Sequence, residues 1–217
     1  MRRAEGRQTW GIYVHIPYCV KKCAYCDFVS APSAQRGAEM EDYAAALTAE
    51  LLREVPPLRA RRGAAATIYV GGGTPTALPA PLLMGVLETL RTAAGTPVEW
   101  TVEANPGTVD TAYLGALRAA GANRLSLGVQ SFDDTLLYGI GRIHTAAEAA
   151  QAFHAARAAG FENISIDLMY GLPGQTLDHL RRSVAAAVAL APEHLSVYGL
   201  TVEEGTPFAA MQAAGRL

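Results

Sequence analysis

Short runs of β-branched and other apolar residues alternate along this chain with longer stretches whose alanines and leucines recur at helical spacing. The short runs predict strands at Ile12–Ile16, Thr67–Val70, Glu99–Glu103, Arg124–Val129, Asn163–Leu168 and His194–Leu200. The longer ones predict helices at Ala38–Glu54, Pro81–Ala94, Thr111–Ala120, Thr145–Ala159 and Leu177–Leu190, with a smaller helical turn over Asp133–Tyr138. Several ends are marked by their chemistry. Gly121 and Gly160 follow the third and fourth helices as C-terminal caps. Asp110 and Thr176 stand where an N-cap accepts backbone N–H groups, and Thr145 with Glu148 offers a capping box. Strict strand–helix alternation implies right-handed βαβ units and a parallel sheet. Six such strands form either an open doubly wound sheet or a partial, TIM-like (β/α)6 barrel. The barrel, truncated after its sixth strand, is the expected α/β fold. No long linker divides residues 1–217, so one domain is expected, with about the first ten residues loose.

Composition adds limits. Half of the 217 residues are hydrophobic, enough for one sizeable core, and the formal charge of -2 gives no reason to expect nucleic acid or an anionic membrane as partner. Arg59, Arg61 and Arg62, between Pro57 and Gly63, read as a solvated basic loop. The opening MRRAEGRQTW lacks the apolar stretch of a secretory signal, and no run approaches the ~18 apolar residues of a membrane span. A cytoplasmic protein is the expectation. Its three cysteines, Cys19, Cys23 and Cys26, fall within eight residues, which in such a compartment points to metal rather than to disulfides.

Polar or glycine residues stand at every strand end. The first strand leads into His15, Pro17 and the cysteine loop; the second into Gly71, Gly72, Gly73, Thr74 and Pro75. The third ends at Glu103, the fourth at Gln130, the fifth holds Asp167, and the sixth runs toward Thr201, Glu203 and Glu204. In parallel barrels this is the functional face. The cysteines are spaced C-x3-C-x2-C, close enough for one loop to wrap an iron–sulfur cube, and three thiolates would leave one iron open. Zinc is the competing reading, with His15 as fourth ligand, although His15 also fits a satisfied position on the strand.

The motifs Tyr13-Val-His-Ile-Pro-Tyr-Cys19, Gly71-Gly-Gly-Thr-Pro-Thr76, Val102-Glu-Ala-Asn-Pro-Gly107, Leu127-Gly-Val-Gln-Ser-Phe132, Gly141-Arg-Ile-His144 and Asp167-Leu-Met-Tyr-Gly-Leu-Pro-Gly-Gln-Thr176 occur in this order from about Gly11 to Phe208. Together with the cysteine loop they resemble the radical S-adenosylmethionine (SAM) superfamily. Within it they resemble the family of oxygen-independent coproporphyrinogen III oxidase (HemN) and the heme chaperone HemW. The resemblance implies a 4Fe-4S cluster on Cys19, Cys23 and Cys26, with the SAM amino and carboxylate groups on the open iron. It implies SAM contacts from Tyr13, Gly72, Gly73, Thr74, Glu103, Gln130, Arg142 and Asp167. From the residues alone, the glycines equally suit a tight strand-to-helix turn, and Glu103 or Asp167 could instead form an ion pair with Arg142.

The resemblance further implies electron transfer from a donor protein through the cluster to SAM, giving methionine and a 5′-deoxyadenosyl radical. Phe28 stands where the oxidase branch carries a further cysteine, and the Cys26-Asp27-Phe28 pattern looks like the HemW branch. That favours binding heme and passing it to an acceptor over oxidative decarboxylation of coproporphyrinogen III. The family's chains also continue past the position of Leu217, so the last strand is expected to present an exposed edge. His144 reads as the one exposed histidine and a candidate heme ligand, unless it caps a helix or lies beside SAM. His154, His179 and His194 receive no role.

Overall fold

The structure is a computed structural model and describes residues 9–217. The expectations of a loose N-terminus and of no secretory signal fall mainly on residues 1–8, outside the described part. Trp10 is half-buried, and its indole Nε1 donates to the Gly63 carbonyl at 3.1 Å.

The chain runs β1 (Gly11–Ile16), β2 (Tyr18–Cys19), β3 (Ala31–Pro32), α1 (Gly37–Arg62), β4 (Thr67–Gly72), α2 (Ala80–Ala94), β5 (Glu99–Ala104) and α3 (Thr111–Ala120). It continues through β6 (Arg124–Gln130), α4 (Asp134–Gly139), α5 (Ala146–Ala158), β7 (Asn163–Tyr170), α6 (Leu177–Ala189), β8 (His194–Gly199) and α7 (Pro207–Ala213). Six strands form one parallel sheet in the order β1-β4-β5-β6-β7-β8. The order never reverses, which decides between the two architectures. A doubly wound sheet must reverse to place helices on both faces, whereas right-handed crossovers in one direction place every helix on the same face and curl the sheet. The result is the partial TIM-like barrel, with β1 and β8 as its edges among the described residues.

The ladder register assigns every side chain to a face. Val14 pairs with Val70, Val70 with Val102, Val102 with Leu125 and Leu125 with Ile164, and all five are buried. These positions point under the helices, so the core lies between sheet and helices. The intervening positions, among them Tyr13, Tyr69, Glu103, Ser126 and Asp167, face the concave side. A second buried cluster consists of Leu136, Ile140, Met169, Leu172 and Phe208, with Tyr25 of the cysteine loop packed against it.

Capping follows the sequence signals. Asp110 accepts from the Tyr113 amide at 2.7 Å, Thr145 and Glu148 form the capping box, and Thr176 caps α6 with His179 as its reciprocal partner. The arginine cluster differs from expectation. Helix α1 continues through Pro56 and Pro57 to Arg62, so Arg59, Arg61 and Arg62 form its last turn rather than a loop. Burial of Leu51 and Val55 outweighs the lost amide donors of the prolines. Arg59 then donates to the carbonyl of Thr92 at 2.9 Å, near the end of α2, and its positive charge suits both helix C-termini.

The uneven cover of the sheet is testable by substitution on its apolar side. Leu127 is fully buried, and Leu127→Ala is expected to cost about 2–5 kcal/mol in urea unfolding. Val197, in the edge strand β8, is 47% exposed, and Val197→Ala is expected to stay within about 0.5 kcal/mol. Equal losses would contradict the described packing.

Candidate functional site

The cysteine loop leaves β1 at Ile16 and is fixed along its length. Tyr43 donates its hydroxyl to the His15 carbonyl at 2.6 Å. The amide of Ser33 donates to Cys19 O at 2.6 Å, that of Ala24 to Ile140 O at 3.1 Å and that of Phe208 to Ala24 O at 3.0 Å. The Gly-Thr-Pro-Phe turn near the C-terminus thereby holds the loop from outside. Cys23 is buried, Cys19 and Cys26 are half-buried, and all three are free thiols. Burial, followed by the neighbouring Cys23 and Cys19 sulfurs, raises the pKa of Cys26 against the opposing pull of the Phe28 backbone and Lys22.

The three cysteines line one cavity of about 420 Å³ together with Gly72, Gly73, Thr74, Glu103, Gln130, Arg142 and Asp167. Of the residues that the resemblance assigns to cluster and SAM, only Tyr13 lies off its wall. Tyr13 sits on the same concave face, stacked on Tyr69 with ring centroids 6.1 Å apart and hydrogen-bonded to His15 Nδ1 at 3.0 Å.

Each wall residue has a local cause. Glu103 accepts from the Tyr69 hydroxyl at 2.6 Å and the Gly72 amide at 3.2 Å. Asp167 accepts from Ser126 Oγ at 3.0 Å and Ser165 Oγ at 3.4 Å. Burial raises the pKa of both carboxyls, partly opposed by these donors. Neither is paired with Arg142. That guanidinium donates instead to the Gly128 carbonyl and to Cys23 Sγ, the latter at 3.6 Å, and its buried Nε has no partner. Gln130 follows an irregularity in the β6–β7 register and has φ 69°, a left-handed conformation that disfavours a side chain.

The glycine loop is explained by packing. A Cβ on Gly73 would stand 2.6 Å from Tyr18 O, and one on Gly72, at φ 114°, 2.7 Å from the His15 ring. Backbone therefore approaches the cysteine loop closely, with the amides of Gly73 and Thr74 donating to Ile16 O and Tyr18 O. Thr74 Oγ1 lies 3.5 Å from Cys19 Sγ.

Two histidine readings are corrected or narrowed. His144 is buried, not exposed, with ring nitrogens 2.9 Å from Asn105 Oδ1 and 3.1 Å from Val129 O, so it offers no nitrogen to heme. Burial, and after it the Arg142 charge, push its pKa down to about 4. His15 contacts the Tyr13 hydroxyl and, at 2.8 Å, Val29 O, which leaves neither nitrogen for a zinc ion.

The description of the Radical SAM superfamily matches residues 13–187. The chain belongs to the radical SAM superfamily. It is 42% identical over 213 residues to the heme chaperone HemW of Bacillus subtilis (strain 168), a match covering 94% of this chain and 54% of that protein. With HemW of Escherichia coli (strain K12) it shares 40% identity over 200 residues, covering 91% of this chain and 52% of that one. Among solved structures, coproporphyrinogen III oxidase (HemN) from Escherichia coli, a radical SAM enzyme, superposes with TM-score 0.82 at 30% identity, covering 95% of this chain and 48% of that chain. The chain spans about half the length of the curated relatives it matches.

Membership in the radical SAM superfamily implies a 4Fe-4S cluster and SAM. The residues fit. Three thiols of one tethered loop share a cavity with an arginine whose buried Nε lacks a partner. Among the described residues no group of three or more His, Cys, Asp or Glu side chains already stands in metal-binding geometry, so the thiols line the cavity without converging. Sequence reasoning passed over Tyr69 and Ser126, which hold the wall in place and whose parity along the strands was the available signal; Asn105 stood in the Val102–Gly107 motif without a role.

The raised carboxyls give a pH prediction. A carboxyl whose folded pKa exceeds its unfolded value of about 4 contributes stability that is complete below that value and is lost as pH rises through the folded pKa. The Glu103→Gln/Asp167→Asn variant is therefore expected to gain urea stability relative to the wild-type protein, without cluster, between about pH 4 and 7. A difference that stays constant over this range would count against buried, proton-retaining carboxyls.

Proposed function

We propose that Cys19, Cys23 and Cys26 hold a 4Fe-4S cluster, that the adjoining cavity binds SAM, and that the chain serves a HemW-type heme chaperone which binds heme and passes it to an acceptor. The observation that carries this reading is the sharing of one cavity by the three thiols of one loop and the unpartnered Arg142 Nε. Cluster and SAM, when bound, supply one-electron radical chemistry that no side chain performs.

The chain's own residues bind and orient. Three thiolates satisfy three irons of a cube and leave the fourth for an exchangeable ligand. Arg142, a guanidinium on the cavity wall, suits a carboxylate. Glu103 and Asp167, already oriented by Tyr69 and Ser126, present oxygens that accept from ribose hydroxyls, and Gln130 brings an amide to polar edges. Gly72, Gly73 and Thr74 keep backbone close to the cysteine loop, while Tyr13 contributes from beside the cavity.

The chaperone reading is supported by the identity to HemW proteins and by Phe28. Its side chain is 63% exposed at the rim of the cavity, in the place where the oxidase branch is expected to carry a cysteine. The alternative, oxidation of coproporphyrinogen III, is supported by the close superposition on HemN.

Anaerobic reconstitution with iron and sulfide, followed by reduction and EPR, is expected to give a four-iron signal that shifts on adding SAM. Cys23→Ser should abolish the signal. Zinc uptake with no cluster would refute the assignment. Hemin titration of the same protein is expected to show stoichiometric binding, with no protoporphyrinogen IX formed from coproporphyrinogen III under reducing conditions. Product formation without hemin binding would favour the oxidase.

A further inference from the structure

His144 lies off the cavity wall, yet its ring joins three segments that carry wall residues. One ring nitrogen meets Asn105, two residues after Glu103 at the tip of β5, and the other meets Val129, the neighbour of Gln130 at the tip of β6. The loop that bears the ring also bears Arg142. Asn105 Oδ1 accepts from the Gly107 amide at 3.0 Å, which fixes the amide with its oxygen toward the ring. The Val129 carbonyl is likewise an acceptor. The imidazole therefore stands between two oxygens and can satisfy both only by donating from both nitrogens.

What the bridge restrains is costly to restrain otherwise. Gln130 adopts φ 69° beside the irregular register of β6, a left-handed conformation disfavoured for a residue with a Cβ. Such a residue keeps its direction only where the surroundings over-determine it. Arg142 in turn donates to the carbonyl of Gly128, so the loop grips β6 on both sides of Val129.

We infer that His144 is a positioning residue for the SAM site: by bridging Asn105 and Val129 it holds Gln130 and Arg142 in register with Glu103, without itself touching the ligand. This rests on the reading of the cavity as a SAM site. Burial and the Arg142 charge keep the ring neutral at neutral pH, against the opposing pull of the Val129 carbonyl and, after it, of Glu148 of α5 and Asp134 of α4. The neutral ring donates its single N–H to one of these oxygens and lies against the other, and a phenyl ring of similar size donates to neither.

The test compares reconstituted wild-type, His144→Phe and His144→Gln proteins for iron and sulfide content, urea midpoint and SAM dissociation constant by anaerobic equilibrium dialysis. The expected result is undiminished cluster in all three, SAM affinity weakened about tenfold in His144→Phe, and most of that loss recovered in His144→Gln, which still donates. Unchanged affinity in His144→Phe, or equal losses in both variants, overturns the inference. Should His144→Phe not fold, Asn105→Asp and Asn105→Ala replace it. Aspartate keeps both acceptor contacts and near wild-type affinity, whereas alanine loses them, and equal affinities overturn the inference. Ring nitrogen-15 NMR on the wild-type chain without cluster or SAM supplies an independent arm. A ring N–H hydrogen-bonded to one of the two oxygens supports the bridge. A ring with no hydrogen-bonded N–H overturns it. If the wild-type chain takes up no cluster or no SAM, the reading of the cavity fails, and this NMR arm still decides on His144.

Discussion

Every second side chain of six parallel, in-register strands must enter the layer under the helices, and the rest of the structure follows from that requirement. Val14, Val70, Val102, Leu125 and Ile164 form one continuous buried row across five strands. Their burial removes apolar surface from water and is worth roughly 1.5–3 kcal/mol for each fully buried side chain. A shift of one residue in any strand would bury a polar position in its place. The intervening residues are therefore committed to the concave face before any function is considered. Glu103, Ser126 and Asp167 converge there because their neighbours in sequence are needed elsewhere.

A cavity made this way is costly to line with carboxyls. The fold meets that cost by giving each one fixed donors: Tyr69 and the Gly72 amide for Glu103, two serines for Asp167. Arg142 is treated in the opposite manner, with one buried N–H left without a protein acceptor. An unsatisfied buried donor is a standing penalty unless something binds it. The contrast between carboxyls with fixed donors and an arginine with one unpartnered N–H is the local feature on which the reading of this cavity as a ligand site rests. The fold itself hosts many chemistries, so this local imbalance, rather than the barrel, carries the functional weight.

Much of this was legible in the chain. Strand and helix positions, the caps at Asp110, Thr145 and Thr176, and the parallel sheet follow from local periodicity and local hydrogen bonding, which depend on residues a few positions apart. The cysteine spacing belongs to the same class. The failures share a cause as well. Arg59, Arg61 and Arg62 read as a loop because two prolines precede them. Helix α1 nevertheless runs on, because Leu51 and Val55 are buried in the core and Arg59 reaches the end of α2, contacts that no local pattern reveals. His144 read as exposed because the Gly-Arg-Ile-His segment is short and polar, whereas its burial comes from strand ends distant in sequence.

The sequence by itself determined the alternation of strands and helices, the side of the sheet on which each residue falls, and the thiols that stand together on one loop. These depend on backbone geometry and near-neighbour chemistry, which any short segment carries within it. Tertiary structure alone decided that the strand order never reverses, that Glu103 and Asp167 are held by Tyr69 and serines rather than by Arg142, and that His144 lies between Asn105 and Val129. Each of those outcomes is a competition among partners brought together by folding, and distance and burial, not residue type, select the winner.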